Sequence, residues 1–493
     1  MNQYSTVSTE FQAPISTNGT QNGSNDYVDY MGPTVPPVMM PADRYWLSHP
    51  AGEHGNTLCF FDTYGDRIAY NSAYEWMWKC DQAGHWLHGD IANARIYHAI
   101  IATLLERQRQ AAMVKNDVIV KLSACTTHNI NNVLAMIKAF VTKPPDQFDS
   151  DPNLLNTKSG VIDLRTGQIV INESGQFTYC VAAEYAPGTK YKPWLNWLDD
   201  TIANHNEAAM RDYLQMAVGY SCTGHTREEC LFYPWGPTRS GKGTLTNTLL
   251  AMLGAPLAAA AAFSTFTRKR DASSFDLAPL KAARLVVSSE GKKGAFLNEA
   301  TVKTITGRDP VVTSFKGKDE FSYIPVYKIW LVSNHPISGD PDDDAFWNRI
   351  RVISFPNSKA GHEDKELKDK MATPAYLRMV LAYAVDGARM WWNEPHGLVT
   401  PKSVSDSTQA HRDALDSVGQ WLAQNTIAKK GLEISNNKLY PNYENWCDEN
   451  GFTPRRGKAF SESMQSKGYE RIRLFSGGGE FRGYRGLDLS QAE

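Results

Sequence analysis

One stretch of this sequence has the residue types and spacing to hold a phosphate chain. Gly236-Pro237-Thr238-Arg239-Ser240-Gly241-Lys242 follows the apolar run Cys230 to Trp235 and leads into the helical pattern Leu245 to Leu253. That is the spacing GxxxxGK, set between a strand and a helix. The backbone N–H groups of such a loop wrap a β-phosphate, and its glycines permit the close approach. Lys242 puts a positive charge on the β- and γ-oxygens, and the helix N-terminus adds its dipole. ATP with Mg²⁺ is the expected occupant. Gly243 stands where a hydroxyl residue usually follows the lysine, and Thr244 comes next. Either Thr244 serves Mg²⁺ or the ion is held more through water.

Phosphoryl chemistry also needs an acidic strand end and a group to orient the nucleophile. Leu285-Val286-Val287 reads as a buried strand, and Glu290 closes it as the one carboxylate, with Ser289 where a second often stands. Glu290 is the candidate base and metal group. A second buried strand, "YKIWLVSN", ends in Asn334, which suits the placing of a water or the sensing of a γ-phosphate; its plainer reading is a strand-ending turn residue. Beyond it, "DDDAFWNRIRVISF" carries Arg349 and Arg351 between apolar anchors. An arginine lent by a neighbouring subunit stabilises charge on a transferring phosphoryl group. Arg351 reads equally well as a solvated strand residue.

The rest of the chain must position these groups. Its 493 residues suffice for several domains, and 42% hydrophobic content can build large cores. A net charge of −2 rules out a protein coated in positive charge, but not one that concentrates it in a channel or module. Seven scattered cysteines without a CxxC pair argue against a zinc site or a disulfide framework and fit a reducing cytoplasm. No apolar run is long enough to span a membrane. Residues 1–42, rich in Ser, Thr, Asn, Gln and Pro, read as a disordered tail. The aromatic stretch Phe60 to Asp90 reads as strands, with turns at Tyr64-Gly65-Asp66 and Ala83-Gly84. Its Tyr74, Trp76, Trp78 and Trp86 suit core packing better than base stacking. Helices are expected near Ile91–Ala112 and Asn129–Phe140. Asn156–Gly160 reads as a turn, and Arg165-Thr166-Gly167 as a hairpin turn between Val161–Leu164 and Gln168–Ile171. Apolar residues at helical spacing run through Trp194 to Ile202 and Leu214 to Tyr220.

The order of P-loop, single strand-end Glu, "VKTITGRDPVVTSFKGK", strand-end Asn and "WNRIRVISF" resembles a superfamily 3 helicase, an AAA+-type hexameric motor of small DNA viruses, phages and plasmids. Upstream, "FDSDPNLLNTKSGVIDLRTG" and "MAVGYSCTGHTREECLFYPWGPTRSGKGT" are similar to the helicase half of phage, plasmid and poxvirus-like primase-helicases. The resemblance covers roughly residues 45 to 490. It implies an α/β fold, with a P-loop AAA+-like ATPase core at 206–400, an α+β N-terminal domain at 43–205 and a C-terminal winged helix at 401–493. It assigns ATP phosphates to Gly241, Lys242 and Thr244, catalysis to Glu290, sensing to Asn334 and the trans-acting finger to Arg349. Its pore hairpin maps onto Lys303 to Lys318, with Lys316-Gly317-Lys318 at the tip; Lys303, Lys316 and Lys318 become DNA contacts. A sixfold ring of such tips would make a positive channel for phosphates. "TRKRD" at 267–271 reads equally as DNA contact or solvated loop. No zinc ribbon and too little N-terminal chain remain for primer synthesis.

The C-terminal pattern is helix, turn, helix, then two strands around Gly477-Gly478-Gly479, with Phe460, Ser463 and Met464 facing inward. Arg455, Arg456, Lys458, Lys467, Arg471, Arg473, Arg482 and Arg485 make it locally basic, which suits duplex DNA. The expected partners are single-stranded DNA in a pore, duplex DNA at the winged helix, further copies of the chain in a hexamer, and a separate primase or initiator. The host cytoplasm is the expected location. Two other readings remain. The GKGT ending of the loop also occurs in small nucleotide kinases, and an initiator could use ATP only to assemble.

Overall fold

The computed structural model describes residues 45–80, 84–170, 176–268, 274–289, 296–317, 319–476 and 479–490. The expected N-terminal tail and the Lys269-Arg270-Asp271 part of the basic cluster lie outside the described residues. The chain divides into two compact units, one of residues 1–65 and 94–141, the other of 66–93 and 142–493.

The first unit is helical. Glu53–Tyr64 is a helix, where the stretch Phe60 to Tyr64 reads as strand from sequence. The reason is the spacing: Asn56, Cys59, Phe60 and Tyr64 are buried at three- and four-residue intervals, which places them on one helical face. The helices expected near 91–112 and 129–140 are Asp90–Met113 and Thr127–Val141. A short helix, Asp117–Leu122, lies between them, and the Asn116 side chain caps it by accepting from Ile119 N–H. Arg107 is fully buried here and donates to Asn56 Oδ1 and to the carbonyls of His49 and Pro50, at 3.2, 3.0 and 2.6 Å.

In the second unit the aromatic segment forms an antiparallel sheet of Ile68–Asn71, Glu75–Lys79 and Trp86–His88. Trp78 and Trp86 are buried, and Tyr74 and Trp76 half-buried against Phe148 and Tyr70, so these rings build core. Leu154–Thr157, Gly160–Asp163 and Gln168–Val170 form a second small sheet. Asn156 therefore lies in a strand, not in the expected turn. Its buried amide donates to the Tyr179 carbonyl at 2.9 Å, and Lys158-Ser159 makes the turn instead.

The centre of this unit is a five-stranded parallel sheet. Its spatial order is Ile350–Ser354, Leu231–Trp235, Lys328–Val332, Leu285–Ser289, Ala258–Ala262. Both faces are covered, so the inner strands read as unbroken apolar runs rather than alternating ones. Phe232, Leu285, Val287, Trp330 and Val332 pack on one side with the helices Lys192–Thr201, Ala208–Cys222, Lys242–Leu253 and Pro374–Asn393. Leu231, Tyr233, Val286, Ile329, Leu331 and Val352 pack on the other with Val302, Ile305, Phe346 and Trp347. The helix Glu299–Thr306 leads into an antiparallel hairpin, Val311–Ser314 with Glu320–Tyr323.

The C-terminal part runs helix Ser417–Asn425, strand Thr426–Ser435, helices Asn436–Asn450 and Gly457–Ser466, then strands Glu470–Ser476 and Gly479–Leu489. The last strand lies between the other two. Phe460, Ser463 and Met464 face inward as expected. The strand Thr426–Ser435 is not legible in the sequence, because Ile434 alone among its residues is buried and the period-two signal is missing.

Candidate nucleotide site

The P-loop leaves the carboxyl end of Leu231–Trp235 and enters Lys242–Leu253, as its spacing predicts. In an open parallel sheet, ligands bind outside the carboxyl ends of the strands, near the point where the strand order reverses. The chain here passes from the P-loop strand to the edge at Ala258–Ala262, works back through Leu285–Ser289 and Lys328–Val332, and ends on the far side at Ile350–Ser354.

Two glycines are required by contact and conformation. Gly236 has φ +154°, and a Cβ there would lie 2.1 Å from the Phe355 carbonyl oxygen. Gly241 has φ +93°, and its Cβ would lie 2.5 Å from Thr201 Cγ2 and 3.3 Å from the Trp197 ring. Arg239 also adopts a left-handed conformation, φ +59°. It is fixed from outside by the segment after the last strand. Lys359 N–H donates to the Arg239 carbonyl at 3.0 Å, Ser358 Oγ to the Thr238 carbonyl at 2.9 Å, and Glu363 pairs with the Arg239 guanidinium. Neither this strap nor the Trp197–Thr201 packing is legible in the sequence, since each lies far along the chain from the loop.

Lys242 is 5% exposed. Its Nζ donates to the carbonyls of Gly236 and Pro237 at 2.8 and 2.7 Å and to Ser240 Oγ at 3.1 Å. Burial pushes its pKa down to about 8. A buried ammonium without a carboxylate among its partners, at a helix N-terminus, suits a polyanion. Thr244 is buried, and its hydroxyl makes no hydrogen bond among the described residues. It fits a Mg²⁺ ligand or a ligand to its water. A Cβ on Gly243 would meet nothing within 4 Å, so glycine there answers no packing need.

Asn334 is exposed at the carboxyl end of the strand beside the P-loop strand. Ser333 bridges to Trp235, the residue before Gly236, with its N–H on the Pro234 carbonyl at 3.1 Å. The strand beyond ends in Ser289, and Glu290 follows just outside the described residues. The P-loop, Asn334 and the last residue before Glu290 thus share one edge of the sheet.

Arg349 sits at the other edge. Ile350 pairs with Leu231, so Arg349 is level with Cys230 and a whole strand away from Gly236, roughly 20 Å at about 3.3 Å per residue. Its guanidinium reaches Thr306 Oγ1, the Ala345 carbonyl and Glu229 Oε2, at 3.1, 2.6 and 3.3 Å. Arg351 donates to the carbonyls of Asn348 and Ile350.

The expected DNA contacts divide. Lys303 is not on the hairpin but in the helix before it, paired with Asp343 at 2.8 Å. Lys316 is exposed at the hairpin tip beside Gly317, φ +77°; Lys318 lies outside the described residues. Arg455 is held by Asp340 and Asp342 at 2.8 and 2.9 Å, and Lys467 by Asp342 and Asp416 at 3.1 and 2.6 Å. Arg456 and Lys458 are exposed. Among the described residues there is no cluster of three or more metal-ligating side chains, and no helix long and apolar enough to cross a membrane. The seven cysteines form no disulfide.

Residues 57–203 match the family described as D5 N terminal like, and residues 235–349 match a family of unknown function, DUF5906. A helicase-named protein of Acanthamoeba polyphaga mimivirus is 25% identical over 336 residues, 61% of this chain and 34% of its own length. A helicase-named protein of Frog virus 3 is 24% identical over 269 residues, 50% of this chain and 27% of its own. The chain is similar to the helicase half of a viral-type primase-helicase. It spans about a third of the length of the curated relatives it matches. The C-terminal region of NrS-1, in an apo form, overlays with a TM-score of 0.49 at 12% identity, covering 87% of this chain and 98% of that one.

Proposed function

We propose that the chain is an ATP-dependent DNA helicase of superfamily 3 type, which works as a hexamer in the replication of a phage, plasmid or other mobile element and draws DNA through a central pore. One observation carries this reading. The P-loop with its buried Lys242, the exposed Asn334 and the strand leading to Glu290 all end at one edge of a parallel sheet, with the Asn334 strand between the other two. That arrangement supports an AAA+-type ATPase core, in which a neighbouring subunit completes the nucleotide site. The C-terminal succession of helix, strand, two helices and two strands supports a winged helix.

In this reading the loop N–H groups and Lys242 hold the phosphates, while bound Mg²⁺ neutralises charge on them. Thr244 and Glu290 would hold the ion, Glu290 would take the proton of the attacking water, and Asn334 would orient that water. Arg349 lies far from its own P-loop, as a residue acting on a neighbour's nucleotide must, and it leaves Glu229 and Thr306 to do so. Lys316 at the exposed hairpin tip meets the DNA backbone.

The test is the ATPase rate with and without single-stranded DNA, with particle mass measured on the same sample. The expected result is hydrolysis stimulated by DNA in a ring-sized particle, lost in Glu290→Gln while assembly survives. Turnover by a monomer only when a nucleoside monophosphate is added would replace this reading with a nucleotide kinase. Assembly and DNA binding that persist without any hydrolysis by the wild type would make it an initiator.

A further inference from the structure

Most of the basic residues named in the C-terminal module are paired with acids, some within the module and some in the segment before Arg349. Arg455 and Lys467 are taken by Asp340, Asp342 and Asp416. Arg485 is shared by Glu433 and Glu470, both at 3.0 Å. Arg473 pairs with Glu480, also at 3.0 Å. Among the described residues, Arg471 and Arg482 make no ion pair. Both line a groove of about 570 Å³ between the helix Gly457–Ser466 and the last two strands, together with Lys458 and Glu462, which pair at 3.3 Å, and Ser461, Gln465 and Tyr484.

The strand register shows what else shares that groove. Arg471 faces Tyr484, Arg473 faces Arg482, and Phe475 faces Glu480. Residues two apart on a strand lie on one face. Tyr484 is buried with its ring near Phe460, so this is the face turned toward the helix. Toward the end of the hairpin the same face becomes open. Phe475 is 78% exposed there, more than any other large hydrophobic residue described. Two guanidinium groups without an ion pair, beside a helix lysine paired with Glu462, therefore give the groove a net positive lining, and the face ends in an uncovered aromatic ring.

A positive lining suits phosphodiesters. The ring adds a restriction. Within a duplex the faces of each base are covered by its neighbours, so an aromatic side chain finds a free face only at a duplex end or on unpaired bases. We infer that this groove is a binding site for a junction between duplex and single-stranded DNA, with backbone phosphates on Arg471, Arg482 and Lys458 and the Phe475 ring stacked on the last base pair. The inference rests on the reading of the chain as a DNA helicase and gives it the site that meets the fork.

The experiment uses the full chain and three fluorescent probes: a forked duplex, the same duplex closed by hairpins at both ends, and a single strand. Affinities are read by anisotropy across a salt series, beside the ATPase rate. The wild type is expected to prefer the fork to the closed duplex by about tenfold, within the range of one base–aromatic stack. Phe475→Ala should erase that preference and leave the closed duplex unaffected, while Phe475→Trp keeps it. Arg471→Ala with Arg482→Ala should weaken both duplex probes and reduce the salt slope by about 1.8, at ~0.9 per phosphate contact. Equal wild-type affinity for fork and closed duplex, or a preference that survives Phe475→Ala, overturns the inference, as does an unchanged salt slope in the double variant. If the wild type binds none of the probes and its ATPase ignores DNA, the helicase reading fails and this site fails with it.

Discussion

Lys242 should give nucleotide binding a break in its pH dependence that an ordinary surface lysine would not. Its ammonium is buried among loop carbonyls and a hydroxyl, and burial brings its pKa from the usual 10.5 down to about 8. A difference of that size corresponds to roughly 3 kcal/mol between its charged and neutral forms. The folded protein gives up this proton before the unfolded chain does. Between about pH 8 and 10.5 the unfolded state therefore binds more protons, and stability rises with pH in that window; below pH 8 both states are charged and the penalty is constant. Phosphate oxygens favour the charged form. Below pH 8 the proton is already present, and affinity for nucleotide should be flat. Above it, binding must take up a proton, and affinity should fall by about tenfold per pH unit. Titration of a fluorescent ATP analogue from about pH 7 to 9.5, with calorimetry in buffers of different ionisation enthalpy to count protons, measures both effects. Lys242→Arg keeps its charge throughout this range, so whatever affinity it retains should show no break. A wild-type affinity that stays flat to the top of the range, or binding there without proton uptake, would refute the argument.

Asp342→Ala leaves Arg455 with Asp340 alone and Lys467 with Asp416 alone, all within side chains that are 15–47% exposed. The loss should be roughly 2 kcal/mol, below the range for a fully buried pair broken on one side, read as a lower urea midpoint by tryptophan fluorescence; a change under about 0.5 kcal/mol would show that the pairs are ornamental surface contacts. Gly236→Ala drives a Cβ to 2.1 Å from a backbone oxygen of Phe355. It should cost at least roughly 2 kcal/mol of stability, the scale of overpacking, and weaken ATP more than tenfold; a variant that melts and binds like wild type would mean the loop and the backbone at Phe355 move apart freely.

The sequence was most legible where one local pattern had one cause. The P-loop, its flanking strand and helix, and the strands ending at Ser289 and Val332 all stand close to their expected places, because runs buried on both faces leave continuous apolar stretches. It was least legible where a residue's fate depends on distant partners. Arg455 and Lys467 count as basic in any window around them, yet their charges are met by Asp340 and Asp342, more than a hundred residues upstream. Lys303 reads as part of a lysine-bearing hairpin segment, but a helix carries it to Asp343. Phe475 departs from its local expectation in the opposite sense. An aromatic residue in a strand suggests core, and here it is the most exposed large hydrophobic described.

The segment from Asn334 to Arg349 joins these observations. It begins at the sheet edge where the P-loop lies, with Tyr233 Oη donating to the His335 carbonyl at 2.9 Å. Its acidic turn then grips two other elements. Asp340 N–H donates to Glu299 and Asp343 pairs with Lys303, both on the helix that precedes the hairpin; Asp340 and Asp342 hold Arg455 and Lys467 of the C-terminal module. It ends at Arg349, on Thr306 of the same helix. Short-range ion pairs of this kind transmit displacement only if both partners are fixed, and here the turn is fixed by Trp347, whose buried indole donates to the Asp340 carbonyl at 2.9 Å. Asn334, the root of the hairpin and the C-terminal module are therefore tied by one stretch of backbone. Under the proposed function, this stretch is the expected route by which a nucleotide-dependent change at Asn334 reaches the hairpin and the C-terminal module, and Asp342→Ala should weaken that coupling, read as a smaller DNA stimulation of the ATPase.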